Sequence, residues 1–127
     1  MLVNAEPGRT ATTAAPGPVH HVVGYDTGGR NGRGQLVVDV NPAATGPNTV
    51  RLIIEDLHGT ARDVAEVHST LTVRQLGPFE VALAHTASGQ YVAQAVQLPY
   101  TGTWQLTVTV RTSDIDETTV AVPIDIS

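Results

Sequence analysis

From Trp104 onward the chain alternates without a slip. Trp104, Leu106, Val108 and Val110 fall on one side; Gln105, Thr107, Thr109 and Arg111 fall on the other. A period of two is the mark of a half-buried β-strand, and Gly102 just before it marks a turn. The same period recurs along the chain. Leu36, Val38 and Val40 share a face, then Val50, Leu52 and Ile54, and at the end Val120, Val122, Ile124 and Ile126. Residues 19–25 read as a short strand. Residues 64–73 read as extended, with Val67, Leu71 and Val73 as the inward set. Phe79, Val81 and Leu83 alternate, and His85 shares their parity, which predicts a place at the core rim. Residues 91–98 carry two competing registers, which predicts a bulge.

Turn chemistry separates these runs. Residues 27–34 form a glycine-rich hairpin loop, and Asn41 with Pro42 stops the strand before them. Turns are predicted at 46–48, 56–59, 77–78, 86–89 and 114–117, where glycine, proline and short polar side chains gather. The count is seven or eight strands with no convincing amphipathic helix. The one helical candidate, 63–73, holds Ser69, Thr70, Thr72 and Val73, which favour extended backbone. The fold class is therefore all-β, an antiparallel β-sandwich. Residues 1–18 hold Pro7, Pro16 and Pro18 among small residues and read as a linker or flexible arm, leaving 19–127 as the domain.

Composition narrows the function. The chain has 127 residues, no cysteine and a formal net charge of −5, from 12 acids against 7 bases, and every base is arginine. No disulfide or cysteine metal site is available. An acidic chain without a basic face is a poor match for nucleic acid. No stretch reaches the roughly 20 apolar residues of a membrane span, so no direct membrane insertion is expected.

The order of motifs is suggestive. Gly89 and Tyr91, Leu98-Pro99, Gly102 and Trp104, the alternation to Val110, and the segment from Arg111 through Asp114, Asp116 and Glu117 to Val120 resemble the YtkA/FixH-like immunoglobulin-type domain. That domain occurs at the C-terminus of actinobacterial CopC–CopD-type copper transport and resistance proteins. Asn41-Pro42-Ala43 and residues 46–50 resemble the same group. Residues 2–10 are similar to the segment leaving the last membrane helix of the CopD portion. The resemblance implies an immunoglobulin-like sandwich, held outside the cytoplasm and tethered to the plasma membrane through a parent protein. Its expected partners are the CopC and CopD portions of that parent. It transfers no metal ligand, because nothing here matches the amine, histidine and acid arrangement of CopC-type sites.

Candidate chemistry is sparse. Cu(I) favours sulfur, and Met1 is the sole methionine, so histidines and carboxylates are left. His20 and His21 are adjacent, so a strand would splay them to opposite faces while an arm would let them converge. His58 lies in a turn and His68 on an extended run, which puts a two-histidine site across a hairpin within reach. These four, His58, His68, His20 and His21, are the metal candidates, with copper, weakly held, as the only cofactor in view. Asp114, Asp116 and Glu117 share one turn and read as a solvated charged hairpin that blunts edge pairing, in preference to a Ca²⁺ site. The glycine-rich loop lacks the lysine and the following helix of a phosphate cradle. It reads as a hairpin turn with two exposed arginines, Arg30 and Arg33, in preference to a docking site for an acidic partner surface. Ser69, Ser88, Ser113 and Ser127 sit in no nucleophile context, so no catalysis is expected. The reading is a non-catalytic accessory to copper handling, or else a metal-free structural or protein–protein interaction module.

Overall fold

The computed structural model describes residues 17–127. Among the described residues there are nine strands and no helix: β1 (Val19–Asp26), β2 (Arg33–Asn41), β3 (Gly46–Asp56), β4 (Glu66–Val73), β5 (Leu76–Val81), β6 (Ala84–Ala87), β7 (Gln90–Leu98), β8 (Gly102–Arg111) and β9 (Glu117–Ile126). They form two antiparallel sheets. One has the order β1-β2-β3-β7-β6 and the other β5-β4-β8-β9. Counted from β2 as strand A, the sheets read A-B-E-D and C′-C-F-G, which is the immunoglobulin arrangement with β1 added at the A edge. Residues 1–16 of the expected arm, and with them the segment 2–10, lie outside the described residues. Gly17 and Pro18 are exposed coil.

The alternating runs build the core. Leu36, Val38, Val40, Val50, Leu52 and Ile54 from one sheet meet Leu71, Val73, Leu106, Val108, Val110, Val122 and Ile124 from the other, each almost fully buried. Trp104 is 1% exposed and is the largest fully buried side chain. Its indole N–H donates to the Tyr100 carbonyl at 2.9 Å, which satisfies the one polar atom that burial would otherwise orphan. β7 carries the bulge: Asn48 pairs with Val96 but Val50 with Ala93, and Ala95 takes a φ of 56°.

Three expectations change. The turn placed at 46–48 lies earlier, because β3 already begins at Gly46 and pairs there with Leu98. The buried Asn48 side chain explains the shift. It accepts from the Ala43 and Ala44 amides and donates to the Ala44 and Gly46 carbonyls. The side chain thus closes the turn while its own backbone stays in the strand. Likewise the turn placed at 77–78 lies at Arg74 and Gln75, since Val73 pairs with Leu76 and Arg74 has a φ of 56°. Gly77 and Pro78 belong to β5, an edge strand, where a missing N–H costs no ladder bond. The ninth strand is β6, four residues long and exposed throughout, inside a stretch read as leading into a turn. With it, His85 moves from the core rim to an exposed edge, and Phe79 is 47% exposed although Val81 points in.

Candidate functional site

The sandwich has two unlike ends. At one end lie the β1–β2, β3–β4 and β8–β9 loops and the β6–β7 turn, because each of these joins strands whose register meets there. Of the residues singled out above, this end carries His58, Arg30, Arg33, Asp114, Asp116 and Glu117.

The glycine-rich β1–β2 loop closes on itself. The Thr27 amide donates to the Gly32 carbonyl at 2.9 Å and the Gly32 amide to the Gly29 carbonyl at 3.1 Å. The Asp26 carboxylate accepts from the Gly28 amide at 2.8 Å. The Thr27 and Thr112 hydroxyls meet at 2.8 Å, joining this loop to β8–β9. A Cβ at Gly29 would stand 2.0 Å from an Asp116 side-chain oxygen, so a larger residue there would displace that carboxylate. Asp116 in turn accepts from the Ser113 hydroxyl at 2.9 Å. The acidic turn is a self-capped loop packed on the glycine loop.

The β3–β4 loop crosses from one sheet to the other. The Asp56 carboxylate caps its turn, accepting from the His58 and Thr60 amides at 2.8 and 3.0 Å. Those two backbone N–H groups hold the Asp56 carboxyl below its ordinary value. The Arg62 guanidinium reaches across to the Asn31 carbonyl at 2.5 Å and ties the two loops together. Between them runs an open groove of about 560 Å³, lined by Asn31, Arg33, Asp56, Leu57, His58 and Arg62 with two glycines. Tyr25 lies beneath, with its hydroxyl on the Glu55 carbonyl at 3.2 Å. Burial raises its pKa despite the nearby Arg62.

The histidines are scattered. His58 is exposed on the groove wall. His68 is on the outer face of the other sheet, 2.9 Å from Glu80. The segment between them is a sheet-to-sheet crossing and not a hairpin. His20 and His21 belong to β1. His20 is exposed and meets Asp39, which also takes an Arg51 bond at 2.9 Å, while half-buried His21 lies on the other face. Burial pushes the Asp39 carboxyl up, but the His20 and Arg51 hydrogen bonds outweigh it and hold the carboxyl low. His85 stacks on Tyr91 with ring centroids 4.8 Å apart and bonds Asp63 at 2.9 Å. The Gly89 amide, and then His85, hold Asp63 low. Three histidines thus fasten three edge strands, β1, β5 and β6, to their neighbours. Among the described residues no three histidine, aspartate or glutamate side chains gather as a metal-ligating group.

Arg62, Asp63 and Asp39 were not singled out from the sequence. Their partners belong to strands and loops distant in the chain, so no local signal marks them. Comparison with family models, with curated proteins and with solved structures finds no match.

Proposed function

We propose that this chain is a non-catalytic contact module, an immunoglobulin-like sandwich held outside the cytoplasm as a YtkA/FixH-like domain of a CopC–CopD-type membrane copper transport protein. In this reading it assists copper handling by contacting other portions of that protein, and its own histidines do not carry the metal. One observation carries the reading: His20, His68 and His85 each face a carboxylate across a strand boundary, at Asp39, Glu80 and Asp63. Side chains spent on such pairs, on three separate edges, are not preorganised toward one ion, and tight metal binding needs several ligands and the groups that orient them in one place. A contact module unconnected to copper is the second reading, favoured by the same pairs.

The test is calorimetric titration with Cu²⁺ at neutral pH. The wild type should bind more weakly than micromolar. His58→Ala, His68→Ala and the His20→Ala/His21→Ala double variant should match it. A submicromolar wild-type affinity lost in any one of these variants would overturn the reading and locate a metal site.

A further inference from the structure

The groove between the β1–β2 and β3–β4 loops has an asymmetry in how its charges are used. Its acids are hydrogen-bonded within their own turns, where they keep their charge. Asp26 accepts from the Gly28 amide, Asp56 from the His58 and Thr60 amides, and Asp116 from the Ser113 hydroxyl. Its arginines are not held in this way. Arg33 forms only a loose, exposed ion pair with Asp26, at 3.9 Å and beyond hydrogen-bond reach. Arg62 spends one N–H on a backbone carbonyl and, among the described residues, forms no ion pair. Elsewhere the contrast is plain: Arg51 is bonded to Asp39 and Arg111 to Glu66. A guanidinium offers five donors in a planar fork that matches a carboxylate. Two such forks line one groove, with His58 beside them.

We propose that this groove binds a carboxylate carried by an acidic segment of a partner protein. The proposal rests on the reading of the domain as a contact module and supplies the chemistry of the contact. The net charge of −5 does not oppose it strongly. At physiological salt, charges more than about 8 Å apart are largely screened, so an incoming carboxylate is governed by the groove's own charges, Arg33 and Arg62 against Asp56. Leu57, 64% exposed on the groove wall, offers an apolar neighbour to the cations. That favours an acidic side chain next to an aliphatic one.

The experiment is a titration of the isotope-labelled domain, followed through its amide resonances. The probes are acetyl-Gly-Glu-Leu-Glu-Gly-amide, the same peptide with glutamine in place of glutamate, and inorganic phosphate. The acidic peptide should shift Asn31, Arg33, His58 and Arg62 amides, and the glutamine peptide should not. Arg33→Gln should weaken binding about tenfold, the loss of one charge-assisted hydrogen bond. Arg74→Gln, at the other end of the sandwich, should leave it unchanged. Arg62→Gln should act like Arg33→Gln. Should that variant unfold, Arg62→Lys, which keeps the charge but not the fork, provides the second reading. Raising the salt should weaken binding further. Three results would overturn the proposal: no localised shifts at millimolar peptide, equal binding by Arg33→Gln, or phosphate producing the same shifts at the same concentration. The last would make the groove a site for free inorganic anions. None of these outcomes touches the copper titration, so the two ideas fail separately.

Discussion

The two ends of this sandwich solve one problem with different materials. At the loop end, turn amides are satisfied by carboxylates: Asp26, Asp56 and Asp63 accept from Gly28, from His58 and Thr60, and from Gly89. At the opposite end the β2–β3 turn is closed by Asn48, which is 2% exposed and neutral. Backbone bonds between Thr45, Ala43 and Ser127 fasten that turn to the end of β9. A neutral amide can be buried when all its hydrogen bonds are made, whereas a carboxylate is kept near water. The Asn48 turn is therefore part of the core, and the carboxylate-capped turns are part of the surface. That division leaves the arginines of the loop end available to a ligand.

The strongest test of the comparison is at Trp104, whose indole bonds the β7–β8 loop at the neutral end. Trp104→Ala should destabilise the domain by about 3–5 kcal/mol, measured by urea unfolding. A loss below 1.4 kcal/mol, roughly tenfold in the folding equilibrium, would show that this end is not fastened to the core. Next in size is a pair of variants. Asn48→Ala strands the Ala43 amide and two turn carbonyls and should cost about 2–3 kcal/mol. Asp56→Ala exposes its turn amides to water and should cost distinctly less. Equal losses would erase the distinction between buried and surface caps.

The smallest effect is in the pH dependence. Backbone N–H groups hold Asp56 and Asp63 below their ordinary values in the folded state. Their stabilisation is thus complete above the unfolded value of about 3.9 and is lost as pH falls through the lower folded value. Asn48 does not titrate. Hydrogen exchange in acid should show His58, Thr60 and Gly89 losing protection while Ala43 keeps it. Loosening of Ala43 first would reverse the assignment of the two ends.

How much of this was legible in the sequence depends on burial. β2, β3, β8 and β9 each lay one apolar face on the core, so period two exposed them directly. β5 and β6 bury almost nothing; five of six residues in β5 and all of β6 are exposed. β6, an edge strand without a buried face, has no alternation to read, so it is the strand missing from the expected seven or eight; β5 was marked only by Phe79, Val81 and Leu83, and its start at Leu76 fell in a stretch read as turn. The turns moved for a related reason. Gly77-Pro78 has turn composition, but an edge strand tolerates it, and the reversal went to Arg74. That shift places Thr70 opposite Glu80 and brings Glu80 within reach of His68. The glycine loop with Arg33 was readable as a hairpin. Arg62 as its cross-brace was not, because the Asn31 carbonyl is thirty-one residues away in the chain.

The polypeptide enters β1 at Val19 and leaves β9 at Ile126, and both positions lie at the neutral end beside the β2–β3 turn. The first and last strands therefore begin and end at the same base. Strands of eight to ten residues separate that base from the arginine groove, a span of about 30 Å at the usual rise per residue. The outer ends of β1 and β9 and the groove thus stand at opposite poles of one rigid pair of sheets, so a side chain on the groove wall is a full strand length from Val19 and Ile126.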